Sequence, residues 1–150
     1  MAIDRGPGTE IIRCHHFENI DDTRTTLIYG EQHHIYTVLC ITICCINLQA
    51  LTNKGYLNVQ GYDTFAGESV QLNRILGITI PEGETFVWND KFSFNGHEPV
   101  DFTGPLDSVA KQDAIADQGN SSVRQLLTWE GSHTDDNYEV TVTFIDQNNE

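Results

Sequence analysis

The run from Ile35 to Ile46, IYTVLCITICCI, constrains the fold more than any other stretch. It carries no charge, no Gly and no Pro, and it is rich in β-branched residues, which favour a pleated, buried backbone. A strand sends alternate side chains to opposite faces. The odd set here is Ile35, Thr37, Leu39, Ile41, Ile43 and Cys45; the even set is Tyr36, Val38, Cys40, Thr42, Cys44 and Ile46. Both sets are mostly apolar, which predicts a central strand covered on both sides, with Leu39, Ile41 and Ile43 as core. The run is shorter than the ~20 residues a bilayer needs and holds polar threonines, so a membrane helix is not expected.

Around this strand the chain reads as short strands broken by turns. Residues 1–10, MAIDRGPGTE, form an extended arm with no apolar periodicity, and no basic start or apolar run of a signal peptide. Ile11 to Phe17 reads as an edge strand joining the arm to the body. Thr25 to Tyr29, Tyr56 to Tyr62, Val70 to Ile80 (interrupted near Gly77), Phe86 to Trp88, Lys91 to Phe94, Ser122 to Trp129 and Tyr138 to Ile145 follow. Pro81-Glu82-Gly83-Glu84 is a tight turn, with Pro at its second position and Gly at a left-handed one. Between 98 and 120, Leu106, Val109, Ala110, Ala114 and Ile115 recur at helical spacing, which predicts a loop and a helix of roughly two to three turns. About eight strands at roughly 8–12-residue spacing predict an all-β, antiparallel two-sheet sandwich, jelly-roll or immunoglobulin-like, with one short helical insert. It spans 11–150 as a single domain.

At 150 residues the chain can bury a core without disulfides or metal. Its 22 acidic against 8 basic residues give a net charge of −14. Nucleic acid and anionic membrane are therefore not expected partners, because no basic cluster exists to neutralise phosphates. Cys14, Cys40, Cys44 and Cys45 do not form a disulfide framework, since three lie on one strand and neighbours there point apart. Free thiols and assembly in a reducing cytoplasm are expected.

Cys14-His15-His16, His33-His34 and the strand cysteines are metal-ligand types, but no C-x2-C or H-x3-H spacing occurs. No metal and no cofactor are expected within one chain; the same residues of several subunits could still meet on a symmetry axis. Asp21-Asp22 and Asp135-Asp136 are candidate calcium sites without EF-hand spacing and read more simply as solvated turns. Nucleophile and phosphate-binding motifs are absent, so no enzyme is expected. Trp88, Trp129, Tyr56 and Tyr62 could form a sugar-stacking platform, although single aromatics on strands are usually core.

The order Thr25–Tyr29, the strand 35–46 beginning Ile35-Tyr36-Thr37, the strand Tyr56–Tyr62, Leu76–Ile80, the turn Pro81-Glu82-Gly83-Glu84 and the closing Val140-Thr141-Val142-Thr143-Phe144-Ile145 resembles the small β-sandwich virion proteins of tailed bacteriophages. The resemblance covers about residues 25–95 and 121–146 and rests on turn-and-strand patterns. It implies a non-enzymatic structural protein of a phage particle, a capsid decoration, head–tail or tail component in symmetric copies. Its partners would be other virion proteins and further copies of itself; its location, the virion, assembled in the host cytoplasm. The alternative from another class is a carbohydrate- or receptor-binding module of a tail or fibre. The arm and the insert are what the sandwich does not need, which marks Ile11, Ile12, Phe102, Pro105 and Leu106 as intersubunit contacts.

Overall fold

Strict alternation in the last strand sets the frame of the first sheet. The structure, a computed structural model, describes residues 9–63, 68–97, 105, 107–109 and 124–148. Among them lie nine strands: β1 (Thr9–Ile20), β2 (Thr25–Tyr29), β3 (His34–Asn47), β4 (Gly55–Asp63), β5 (Glu68–Ile78), β6 (Thr85–Trp88), β7 (Phe92–Asn95), β8 (Leu126–Glu130) and β9 (Asn137–Asn148). One sheet has the order β1-β9-β3-β6, with β7 also on β3, and the other the order β2-β8-β4-β5. Every pairing is antiparallel. The chain is the all-β two-sheet sandwich that the strand spacing predicts.

Along β9, Tyr138, Val140, Val142, Phe144 and Asp146 are buried and their neighbours are half-exposed. β3 cannot match this with unbroken alternation. Val38 pairs with Phe144 and Cys40 with Thr143, so Leu39 is an extra residue, a β-bulge. Before it the even residues Tyr36 and Val38 are buried; after it the odd residues Ile41, Ile43 and Cys45 are. A single buried face that changes parity therefore reads in sequence as two apolar faces. The expected covering on both sides is corrected accordingly: Thr37, Cys40, Thr42 and Cys44 are only partly buried, and Ile46 is exposed.

Facing this sheet, Leu27, Ile28, Leu57, Leu127 and Trp129 are buried and complete the core. Gly30 and Gly96 let three backbone segments meet at one end of the sandwich. A Cβ on Gly30 would collide with the carbonyl oxygens of Gly96 and Gln125, and Gly30 N–H donates to Gln125 O at 3.0 Å. β5 runs on through Gly77, which pairs with Tyr56; the irregularity expected near it is a register shift that leaves Ile75 out of the pairing between Leu76 and Arg74. In the 81–84 turn Glu84 N–H donates to Pro81 O, which puts Pro81 first rather than second, and Gly83 takes the left-handed φ of 79°. Strand pairing begins at Thr9, within the span read as the arm. Residues 1–8 and nearly all of the insert at 98–120 lie outside the described residues.

The bulge yields a stability test. Ile41→Ala and Ile43→Ala, at positions fully enclosed, should each cost about 2–5 kcal/mol in urea unfolding. Leu39→Ala, at the half-buried bulge, should cost clearly less; equal losses at all three would place Leu39 in the core.

Candidate functional site

β9's inward set ends in a charge. Asp146 is buried, opposite Ile11 of β1 and Tyr36 of β3. A buried carboxylate must be paired and hydrogen-bonded. Arg13 Nε donates to its Oδ2 at 2.9 Å, and His34 Nδ1 lies 2.6 Å from its Oδ1. A carboxylate only accepts, so His34 carries its proton on Nδ1. Its Nε2 lies 3.5 Å from Glu31, and its ring stacks on Tyr36 with centroids 6.0 Å apart.

Asp146, Arg13, Glu31 and Tyr36, but not His34, border a cleft of about 210 Å³ between the edge strands β1 and β2. His15 Nδ1 is 3.2 Å from Leu27 O, which can only accept, so the proton sits on Nδ1 there too. Phe144 closes the inner end against the edge of His15. Burial, and then the carboxylates of Asp146 and Glu31, push the Tyr36 phenol up to about 12, against the hydrogen bond from Glu31 N–H. The phenol is therefore neutral at ordinary pH, and its oxygen accepts from Glu31 N–H at 3.1 Å. Both oxygens of Asp146 face cationic or N–H donors. The cluster is built to hold strands together: one carboxylate on β9 ties β1 on one side and β3 on the other.

A second group lies on the outward face of the same sheet. There Cys14 of β1, Thr143 of β9 and Cys40 of β3 form one cross-strand row, and His16, Thr141, Thr42 and Val87 form the next. Thr143 Oγ1 is 3.7 Å from Cys14 Sγ, and Thr141 Oγ1 is 2.8 Å from His16 Nδ1. Ile12 on this face is 71% exposed and Val87 46%. All four cysteines are free, as their crowding on the sequence predicts. Among the described residues no group of three or more His, Cys, Asp or Glu within one chain could hold a metal.

Of the residues singled out in the sequence, Ile11 and Ile12 fall on the edge strand β1, Ile11 half-buried and Ile12 exposed. Pro105 is exposed; Phe102 and Leu106 lie outside the described residues. Asp136 is not a solvated turn residue. It is buried, and its carboxylate accepts N–H groups from Gln49, Asn53, Ser132 and His133, which locks two loops together. Asp21 does sit in an exposed turn, where the Thr23 N–H holds its carboxyl below the usual range. The aromatics do not gather into a platform. Trp129 is in the core against Tyr138, Trp88 donates to Asp90 O in its own loop, and Tyr56 lies under the Arg74 guanidinium; the side chain of Tyr62 lies outside the described residues. The Arg13–Asp146–His34 cluster was not foreseen. Its one signal in sequence is that Asp146 continues the parity of Val140, Val142 and Phe144.

No protein-family model matches the sequence, and no curated protein matches it. Among solved structures, a chain reported under "Bacillus endospore appendages form a novel family of disulfide-linked pili" aligns over 100% of this chain and 97% of its own. The identity is 8% and the TM-score 0.42. Likeness at that level bears no functional weight. No helix among the described residues is long and apolar enough to cross a membrane.

Two measurements check this description. Asp146→Ala strands His34 and Arg13 without their acceptor and should cost about 1–3 kcal/mol; Arg13→Ala leaves the buried Asp146 carboxylate, 5% exposed, with one donor fewer and should cost a similar amount. In thiol labelling at pH 8, Cys14 should react first. Burial pushes the Cys45 thiol up to about 11, which shrinks its thiolate fraction. Cys45 should therefore label only on unfolding, and labelling at the rate of Cys14 would contradict its enclosure.

Proposed function

We propose that this chain is a non-enzymatic structural protein of a phage particle, a capsid decoration or other virion-associated protein working in symmetric copies. One observation carries the reading: β1 is a 12-residue edge strand whose one strand partner among the described residues is β9. An edge strand can offer backbone groups to a neighbour, and proteins blunt such edges with proline, charges, bulges or short strands; β1 shifts register only past Phe17. From Thr9 to Phe17 β1 pairs without a register shift and contains no proline. A neighbour in an assembly would cover it. Exposed Ile12 adds an apolar anchor on the same strand, and the net charge of −14 keeps the chain soluble until it docks.

Partners in this reading are other virion proteins and further copies of the chain, with Ile11, Ile12, Phe102, Pro105 and Leu106 at the contacts. The virion is the location, reached by assembly in the host cytoplasm. The order of strands and turns shared with small phage sandwich proteins supports the choice of particle.

Ile12→Lys provides the test. The side chain is on the surface, so monomer stability should change by no more than about 0.5 kcal/mol. Sedimentation should show an oligomer for the native chain that is lost in the variant, together with loss of co-sedimentation with particles. A native chain that stays monomeric at all concentrations and does not sediment with particles would sink the proposal.

A further inference from the structure

We infer that the cleft between β1 and β2 is a binding site for a small zwitterion, an α-amino acid with an aliphatic side chain. Every group it uses belongs to one chain, so the site does not depend on the assembly proposed above. It begins from an opening in the sandwich. β1 turns Arg13 and His15 inward, toward Asp146 and Phe144 of β9, yet both stay exposed. On this side the two sheets part and leave about 210 Å³ between them. Ile28 and Phe144, both buried, give the cleft an apolar floor. A few convergent polar groups over an apolar floor are what a small-molecule site needs.

The walls carry one charge of each sign, and both are held in place. Arg13 is pinned through Nε, 2.9 Å from Asp146 Oδ2. Among the described residues its guanidinium uses Nε alone, which leaves the two terminal nitrogens as a fork for a carboxylate. Glu31 is fixed through its backbone. Its N–H donates to the Tyr36 phenol oxygen at 3.1 Å, its carbonyl accepts from His34 N–H at 3.3 Å, and a Cβ on Gly96 would collide with that carbonyl. Both charges reach the same phenol. Beyond burial and the Glu31 N–H, the ionisation of Tyr36 is raised by Asp146 and Glu31 and lowered by Arg13. Asp146 does not compete for a ligand's ammonium, since its oxygens already face Arg13 and His34. A lone anion here would meet Asp146 and Glu31, and a lone cation would meet Arg13. A zwitterion sets its carboxylate on Arg13 and its ammonium on Glu31. His15, donating from Nδ1 to Leu27 O, keeps Nε2 as a further acceptor for an ammonium N–H. The volume is below the ~300 Å³ at which drug-sized pockets begin, which limits the ligand to roughly a single amino acid. Ile28 and Phe144 then receive its aliphatic side chain. Little ordering is left for binding to impose, because the fork, the Glu31 backbone and the phenol are already fixed.

The full chain is titrated with L-leucine, with isoamylamine, which keeps the amine alone, with isocaproate, which keeps the carboxylate alone, and with D-glucose. Binding is followed by calorimetry and by NMR of the protein. Leucine should bind once per chain with a Kd of about 1 mM or tighter, shifting the signals of Ile28 and Phe144. Each one-charge analogue should bind on the order of tenfold more weakly. Glu31→Gln should weaken leucine by about tenfold and leave isocaproate no weaker. Arg13→Gln should weaken leucine by a similar factor and leave isoamylamine no weaker. Loss of fold cannot produce that reciprocal pattern, and Glu31→Gln, at a side chain 62% exposed, should melt as the native chain does. Glu139→Gln, on the outward face of the sheet, should change nothing. The inference is overturned if leucine fails to bind, or binds no better than its one-charge analogues. Leucine held equally by Glu31→Gln, shifts confined to signals away from the cleft, or glucose bound in its place would also overturn it. None of these outcomes bears on the structural role, which is read from sedimentation.

Discussion

β3 has to bury one face along its length while β9, its longest partner, alternates without a break, and the extra residue at Leu39 reconciles the two. β9 offers Tyr138, Val140, Val142 and Phe144 to the core in strict order. β3 meets them with Val38 on Phe144, then steps over Leu39 so that Ile41 meets Val142 and Ile43 meets Val140. Without the step, half of β3 would turn its apolar side chains outward, since a slip of one residue exchanges the faces. The bulge also adds local twist. It falls between the segments of β3 that pair with β7, ending at Val38, and with β6, beginning at Ile41. One edge of the sheet is thereby shared by two short strands.

At the end of β3 before the bulge, the inward face passes from Val38 and Tyr36 to polar groups at His34 and Asp146. Asp146 lies there because β9 has outrun the apolar core, and an isolated carboxylate in that place would be costly. Arg13 and His34 come from the strands on either side, so the charge is compensated only when β1, β9 and β3 are all in register. The clamp thus ties the edge strand to the sheet at its first turn of pairing, near Thr9. An edge strand held firmly on one side, with no second strand partner among the described residues, would make a rigid template, and a rigid template loses less freedom on meeting a partner.

Most strands were legible because their residues announce them: Thr25–Tyr29 matches β2, and the alternation of Val140, Val142 and Phe144 gives β9. The two-sheet class followed from spacing. What misled was parity in β3. A pattern rule assumes unbroken alternation, and a bulge is invisible to it, so the outer row of Cys40, Thr42 and Cys44 was assigned a full cover, whereas it is only partly buried among the described residues. The turn at Pro81 was found but shifted by one position, since Pro and Gly mark a turn without fixing which corner each takes. The Asp146 cluster was hidden for another reason. Arg13, His34 and Asp146 are far apart in sequence, and only register brings them together. Asp136 was misjudged in the same way: its solvating partners are three backbone N–H groups and the Asn53 side-chain amide, which no sequence pattern displays.

The edges of the two sheets differ in how well they could template a neighbour, which bears on the assembly proposed for the chain. The edge made by β6 and β7 is broken into two four-residue strands. β5 is longer, but its pairing with β4 shifts between Leu57 and Asn58 and again between Gly61 and Asp63, which bends it away from a flat partner. β2 has five residues and a shift of its own between Thr26 and Ile28. β1 alone among the described strands at an edge offers nine consecutive residues in unbroken register, Thr9 to Phe17. In the proposed assembly, pairing through one competent edge would be self-complementary and would close at two copies; a filament would need a second edge to continue. Any larger assembly must then use different surfaces, such as the outward face around Val87 and Ile46 or the exposed Pro105.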